Sequence, residues 1–257
     1  WWETAEWLEA MSARKGRKFY LVQGHEVFPN LPLERVRVTY RAPLKKVVVS
    51  HWLQSIMAKE YDQHDVVTVN NSVDFQQFFA PPRGKQARPT VGFLFSHVGP
   101  SLKGCDVALE VIDRLRASHP DLRVVSFGMS PMPAELQAGF EFHHLPAQSE
   151  IRHLYAACDV WLTASRSEGF NLTAMEAMAC RTPVVSTRTG WPPEVIVNGS
   201  NGFCVDIDDV DGLTQGVDHI LRLSDAQWRA MSDSAFSVVE HESWDRAVDQ
   251  FEKILLT

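Results

Sequence analysis

Long apolar runs are missing from this chain. No stretch approaches the roughly 20 residues that a membrane-crossing helix needs, so it does not read as membrane-spanning. Basic charge is also short: 25 Lys and Arg stand against 32 Asp and Glu, a net charge of −7. A nucleic-acid binder normally carries a basic face, so no nucleic-acid partner is expected. The single basic cluster, Arg14, Lys15, Arg17 and Lys18, reads as a solvated loop ahead of an apolar strand. Cysteines 105, 158, 180 and 204 form no C-x-x-C pair. Their small and apolar neighbours fit reduced, buried thiols of a cytoplasmic protein. No G-x-G-x-x-G follows the first strand of either half, which argues against a dinucleotide-dependent dehydrogenase. No signal peptide opens the chain, which begins Trp-Trp-Glu-Thr without an initiator Met; that suggests a truncated or processed start.

What is present is globular. The chain's 257 residues, 45% of them apolar, suit one full α/β domain plus part of another. Apolar positions at helical spacing predict helices over Trp1–Arg17, Leu31–Tyr40 and His51–Tyr61. Short buried strands fit Phe19–Val22, Lys46–Val49 and Val66–Val69. Residues 1–80 therefore read as a partial α/β domain, and the Pro- and Gly-rich stretch 81–89 as a linker. Over 90–240 the alternation is cleaner. Strands fit Val91–Ser96, Leu122–Gly128, Phe140–Leu145, Val160–Ala164, Pro183–Thr187 and Phe203–Val205. Helices fit Gly104–Ser118, Ser149–Cys158, Leu172–Arg181 and Val210–Leu223, with more helix beyond. Near-continuous apolar strands separated by helices call for a parallel sheet covered on both faces. Ligands of such sheets sit at the carboxyl ends of the strands.

The informative stretch runs from Ser165 to Glu176. It follows a strand and opens a helix, which places it at such a carboxyl end. Gly169 permits a tight turn and close ligand approach. Phe170, Asn171, Leu172 and Thr173 present backbone amides at a helix start, with Asn171 as the cap. Free amides and the positive end of the helix dipole suit a diphosphate. Glu176, one turn inside, suits a vicinal diol such as ribose. Glu168, on the other side of the phosphate position, suits sugar hydroxyls and positive charge developing at an anomeric carbon. Lys103, at the loop after another strand of the same sheet, is a candidate phosphate cation, and Arg166 is a second.

These residues resemble the large retaining glycosyltransferase family usually called family 4, which has the GT-B fold. The likeness rests on Glu168-Gly169-Phe170-Asn171-Leu172 through Glu176-Ala177-Met178-Ala179, then Arg181 to Val185, Gly190, Glu194, Asn198-Gly199 and Asn201-Gly202-Phe203. Lys103-Gly104 and Leu154 to Asp159 match upstream. The resemblance implies an α/β fold of GT-B type, with a Rossmann-like parallel-sheet domain and a partial second α/β domain. It implies contact of Glu168 with the donor sugar, Glu176 with the nucleotide ribose and Lys103 with the phosphates, Glu168 and Lys103 being the catalytic pair. The activity implied is transfer from a nucleotide-diphosphate sugar to a hydroxyl acceptor with retention, in bacterial cell-surface polysaccharide synthesis. The acceptor is expected to be a saccharide or a lipid-linked saccharide. No cofactor and no metal is required in that scheme. The expected place is the cytoplasm, with room for peripheral association at the inner face of the membrane. Tyr20 to Gln23, Thr39-Tyr40 and Ser50 to Trp52 resemble, more faintly, a rhamnosyltransferase-like subgroup and a dTDP-linked donor.

The chain departs from that family in two ways. A Gly-Arg pair is common a few residues before the Lys; here Ser96 to Pro100 carries no Arg, and His97 or Arg166 is the substitute. An acceptor-side domain on the order of 150–200 residues is also expected by ordinary domain size, and residues 1–80 supply about half. The missing N-terminal residues are thus an expected partner, and residues 241–257 are expected to form a helix crossing back to that domain. Two competing readings stay open: a non-catalytic nucleotide-sugar-binding module, and an epimerase of the same fold. Other features read as ordinary structure. His143 and His144 point to opposite faces of a strand and cannot share an ion. Asp206, Asp208, Asp209 and Asp211 lack EF-hand spacing and read as capping. Trp191 walls the crevice or packs in its loop, and Trp228 and Trp244 read as core or domain-contact residues.

Overall fold

The computed structural model describes residues 1–97, 99 and 101–256. The first unit comprises helix α1 (Trp2–Ala10), strand β1 (Phe19–Val22), helix α2 (Leu33–Arg41), strand β2 (Lys45–Val48), helix α3 (His51–Tyr61) and strand β3 (Val66–Thr68). The three strands form a parallel sheet in the order β1-β2-β3, with Phe19 opposite Lys45 and Lys46 opposite Val66. The helix expected to run to Arg17 stops at Ala10. Met11 turns extended, and Ser12 caps a separate short turn by accepting from the Arg14 amide. Ser50 caps α3, its hydroxyl accepting from the Leu53 amide.

The second unit begins with β4 (Thr90–Leu94), α4 (Cys105–Ser118), β5 (Arg123–Gly128), α5 (Ala134–Gln137), β6 (Glu141–His144) and α6 (Gln148–Ala156). It continues with β7 (Val160–Thr163), α7 (Leu172–Ala179), β8 (Val184–Thr187), α8 (Pro192–Val195), β9 (Gly202–Val205), α9 (Val210–Arg222), α10 (Asp225–Ser237) and α11 (Trp244–Leu256). Its six strands are all parallel, in the order β6-β5-β4-β7-β8-β9. The chain therefore reverses direction across the sheet between β4 and β7, and the strand ends there are the switch point. All four residues of β7 and of β8 are buried, as a sheet covered on both faces demands. One cluster, from α4, α9 and α10, covers one face. The other cluster joins α6, α7 and α10 to the first unit, with Val48, Leu53 and Met57 in the same core as Phe170, Met175 and Trp191. The two units thus share apolar packing rather than only a covalent joint.

The segment 81–89 is irregular yet tied down. The Arg83 guanidinium donates to the Cys158 carbonyl at 2.6 Å and the Thr182 hydroxyl at 2.8 Å, and lies 4.5 Å over the Trp228 ring. The buried Asp159 carboxylate accepts from the Gln86 and Thr90 amides. Trp228 is fully buried and donates to the Asp159 carbonyl, which fits a core role. Trp244 is 46% exposed, so the core reading fails there: it opens α11, none of whose residues is buried. That last helix ends beside the first unit, where Arg17 donates to the Leu255 carbonyl. Among the described residues no helix is long and apolar enough to cross a membrane.

Candidate functional site

At the switch point the loop from β7 rises into α7. Asn171 adopts φ 79° and ψ 64°, a left-handed conformation that Asn tolerates better than most residues. Its side chain holds that geometry. Oδ1 accepts from the Ala174 amide at 3.3 Å and the Thr173 hydroxyl at 3.0 Å, while Nδ2 donates to Thr163 Oγ1 at 3.0 Å. The cap read from the sequence is therefore present. It leaves the Leu172 and Thr173 amides in the first turn, where no carbonyl of their own helix can reach them. Phe170 contributes backbone only: its ring is buried and stacked on Trp191, 5.5 Å between centroids. Trp191, also buried, is a packing residue.

Lys103 and Glu168 meet across the switch point. Lys103 Nζ donates to both carboxylate oxygens of Glu168, at 2.8 and 2.9 Å, although 65 residues separate them. The Ser165 hydroxyl donates to the same carboxylate at 2.8 Å. Gly104 holds the Lys103 loop against the end of β7. It sits at φ 62°, and a Cβ there would lie 1.8 Å from the Ala164 carbonyl oxygen. Glu176 lies deeper. Its carboxylate accepts from the Tyr155 hydroxyl at 2.7 Å, and burial pushes its pKa up from 4.5 to about 7 against the opposing pull of that hydrogen bond. Tyr155 is fully buried, packed edge-on against Trp161 and Phe127.

The two substitute cations land differently. Arg166 reaches the rim, where its guanidinium grips the Asp106 carboxylate at 2.8 and 2.9 Å, Asp208 at 2.7 Å and the Ser101 carbonyl at 2.9 Å. The guanidinium beside it holds the Asp106 carboxyl below the usual range. Arg166 thus braces the Lys103 loop and the start of α4 against the loop entering α9. His97 is exposed on the loop leaving β4. Among the described residues, no three His, Cys, Asp or Glu groups converge as ligands for a metal ion. His143 pairs with Glu141, and His144 with the Met129 carbonyl. Asp209 caps α9, and Asp206, Asp208 and Asp211 each meet an arginine.

Residues 88–223, more than half of the chain, match the family model "Glycosyl transferases group 1". This chain belongs to the group 1 glycosyl transferases. The D-inositol 3-phosphate glycosyltransferase of Mycobacterium marinum is 29% identical over 218 residues, covering 76% of this chain and 46% of that protein. Its counterpart from Mycobacterium bovis is 30% identical over 210 residues, covering 73% and 43%. The chain spans about half the length of the curated relatives it matches. In fold it is similar to TarM, with a TM-score of 0.80 at 14% identity over 97% of this chain and 52% of TarM. It is also similar to Anabaena Alr3699/HepE, solved with UDP and glucose, with a TM-score of 0.76 at 19% identity over 95% and 72%. The fold is GT-B.

Within this chain the first unit touches the candidate site directly, which the sequence did not foretell. Gly169 is a glycine because a Cβ would lie 1.7 Å from the Gln23 carbonyl oxygen at the end of β1. The close approach expected from a ligand is made, at this residue, by the protein's own backbone. Ser50 donates to the Gly169 carbonyl at 2.7 Å. The Glu194 carboxylate accepts from the His51 amide at 2.6 Å, lies 2.8 Å from His51 Nδ1 and meets Asn70 Nδ2 at 3.3 Å. Ser50, His51, Asn70, Tyr155 and Ser165 were not singled out as site residues. Glu194 and Tyr155 lay inside the quoted motifs, but a partner 143 or 21 residues away leaves no local trace.

Proposed function

We propose that this chain carries the donor site of a retaining glycosyltransferase that takes a sugar from a nucleoside diphosphate. The observation that supports it best is the Lys103–Glu168 pair beside the amino end of α7, with Glu176 one turn further in. The diphosphate rests on the Leu172 and Thr173 amides, where the dipole and free N–H groups favour an anion. Lys103 and Glu168 neutralise each other. An arriving phosphate offers Lys103 a stronger partner, and Glu168 is released to the sugar hydroxyls. Lys103 and the helix amides then carry the charge that grows on the leaving diphosphate, without a divalent cation. Neighbours of this fold solved with UDP support the donor class.

The acceptor is a hydroxyl of a saccharide or lipid-linked saccharide in bacterial cell-surface polysaccharide synthesis at the inner face of the membrane. The name of the mycobacterial relatives adds D-inositol 3-phosphate to the acceptors worth assaying. The alternative reading is a module that binds donor without transfer. Thermal shift and calorimetry with UDP, GDP, dTDP and ADP and their sugars test the reading, in buffer with and without EDTA. A saturable, EDTA-insensitive response to one nucleotide is expected. A chain that answers to none of them refutes it. Donor binding without consumption on any acceptor supports the module, and release of free nucleotide without an acceptor supports an epimerase.

A further inference from the structure

The first unit reaches into the proposed donor site through one hydroxyl. We infer that Ser50 is a positioning residue of that site, setting the direction of the Gly169–Phe170 peptide from across the junction between the units. Ser50 is fully buried between β2 and α3. Its oxygen accepts from the Leu53 amide at 3.2 Å, so its single proton is free to go to the Gly169 carbonyl at 2.7 Å. A peptide is planar and trans, so its C=O and the following N–H point in opposite directions. With the Gly169 carbonyl turned to Ser50, the Phe170 N–H is turned away from the first unit.

The neighbouring groups leave that peptide little freedom. The Gln23 carbonyl occupies the place of a Gly169 Cβ, the Phe170 carbonyl accepts from the Trp191 amide at 2.7 Å, and Asn171 is locked by its side chain. Ser50 itself is held in place because Glu194 clasps the next residue, His51, by backbone amide and ring, and Asn70 besides. The loop between Glu168 and α7 is thus anchored through its carbonyls on the protein side, and its amides are what it offers a ligand. This inference rests on the donor reading above and adds that the first unit is required to shape the donor site.

The test is UDP affinity by calorimetry on the whole chain, for wild type, Ser50→Ala, Ser50→Gly and Ser50→Thr. Gly is tolerated at a helix cap, so Ser50→Gly removes the bond to Gly169 while largely sparing α3. Thr keeps the hydroxyl. Ser224→Ala, which strips the capping box at the start of α10, controls for lost stability alone. Affinity is expected to fall roughly three- to tenfold in the Ala and Gly variants, as one lost hydrogen bond warrants. It should recover to within about twofold in the Thr variant, and Ser224→Ala should melt earlier with unchanged affinity. Wild-type affinity in Ser50→Ala and Ser50→Gly overturns the inference and leaves the donor reading intact. A wild-type chain that binds UDP, GDP, dTDP and ADP not at all removes both.

Discussion

Replacing Glu176 by Gln should make this protein more stable and less able to bind its donor, and the gain should depend on pH. Burial beside α6 raises the folded-state pKa of Glu176 from 4.5 to about 7. The unfolded chain releases that proton near 4.5, while the folded chain keeps it to about 7. Between those values the folded state binds more protons, so its stability falls as pH rises and levels off above 7. At about 1.4 kcal/mol per pKa unit the loss is at most about 3 kcal/mol. Gln has nearly the same shape, carries no charge and offers Tyr155 the same kind of oxygen acceptor. The variant should therefore gain up to about 3 kcal/mol over wild type at pH 8, or roughly 6–10 °C in melting temperature for a chain of this size. The two proteins should converge below pH 5. Urea unfolding at pH 5, 6, 7 and 8 reads the difference, and subtracting the two curves cancels the other carboxylates that titrate in the range. A difference that does not change with pH, or a variant weaker than wild type at pH 8, refutes the reasoning. A carboxylate kept at such a cost is what a binding site requires and a core does not. UDP affinity should accordingly fall in the same variant.

Lys103→Ala should slow sugar release from a responding donor by roughly 100-fold, as the loss of one charge-stabilising donor does, while weakening nucleotide affinity less. Turnover and calorimetry together separate the two, and an equal loss in both contradicts a leaving-group role. Gly169→Ala should cost about 3 kcal/mol or more, because the new methyl meets the Gln23 carbonyl 1.7 Å away and the two units must part to admit it. Thermal melting checks this, and an unchanged melting temperature shows that the first unit does not pack there.

The α/β alternation was legible because each strand buried on both faces must be apolar along its length, and each helix must show a stripe. The strands expected over Val160–Ala164 and Pro183–Thr187 form over Val160–Thr163 and Val184–Thr187, and the helix expected over His51–Tyr61 forms there. Boundaries were less legible. The first helix was read through to Arg17 because Trp7, Leu8 and Met11 keep helical spacing, yet Trp7 and Met11 are exposed and nothing holds the chain helical past Ala10. For Trp244 only the core alternative falls, for a related reason: a tryptophan on a helix carries no sign of which face meets solvent.

By itself the sequence determined the local frame of the candidate site. A strand, a glycine turn, Asn171 as cap and two glutamates flanking the helix start are local features. Local backbone preference and helix-end chemistry dictate them whatever the rest of the chain does. Only the tertiary structure decided what each group meets: Lys103 with Glu168, Tyr155 with Glu176, Arg166 with Asp106, Ser50 with Gly169. Those pairings join residues 21 to 119 positions apart. They exist because sheet order and the packing of two units bring distant loops to one edge, and no periodicity along a single chain encodes that distance.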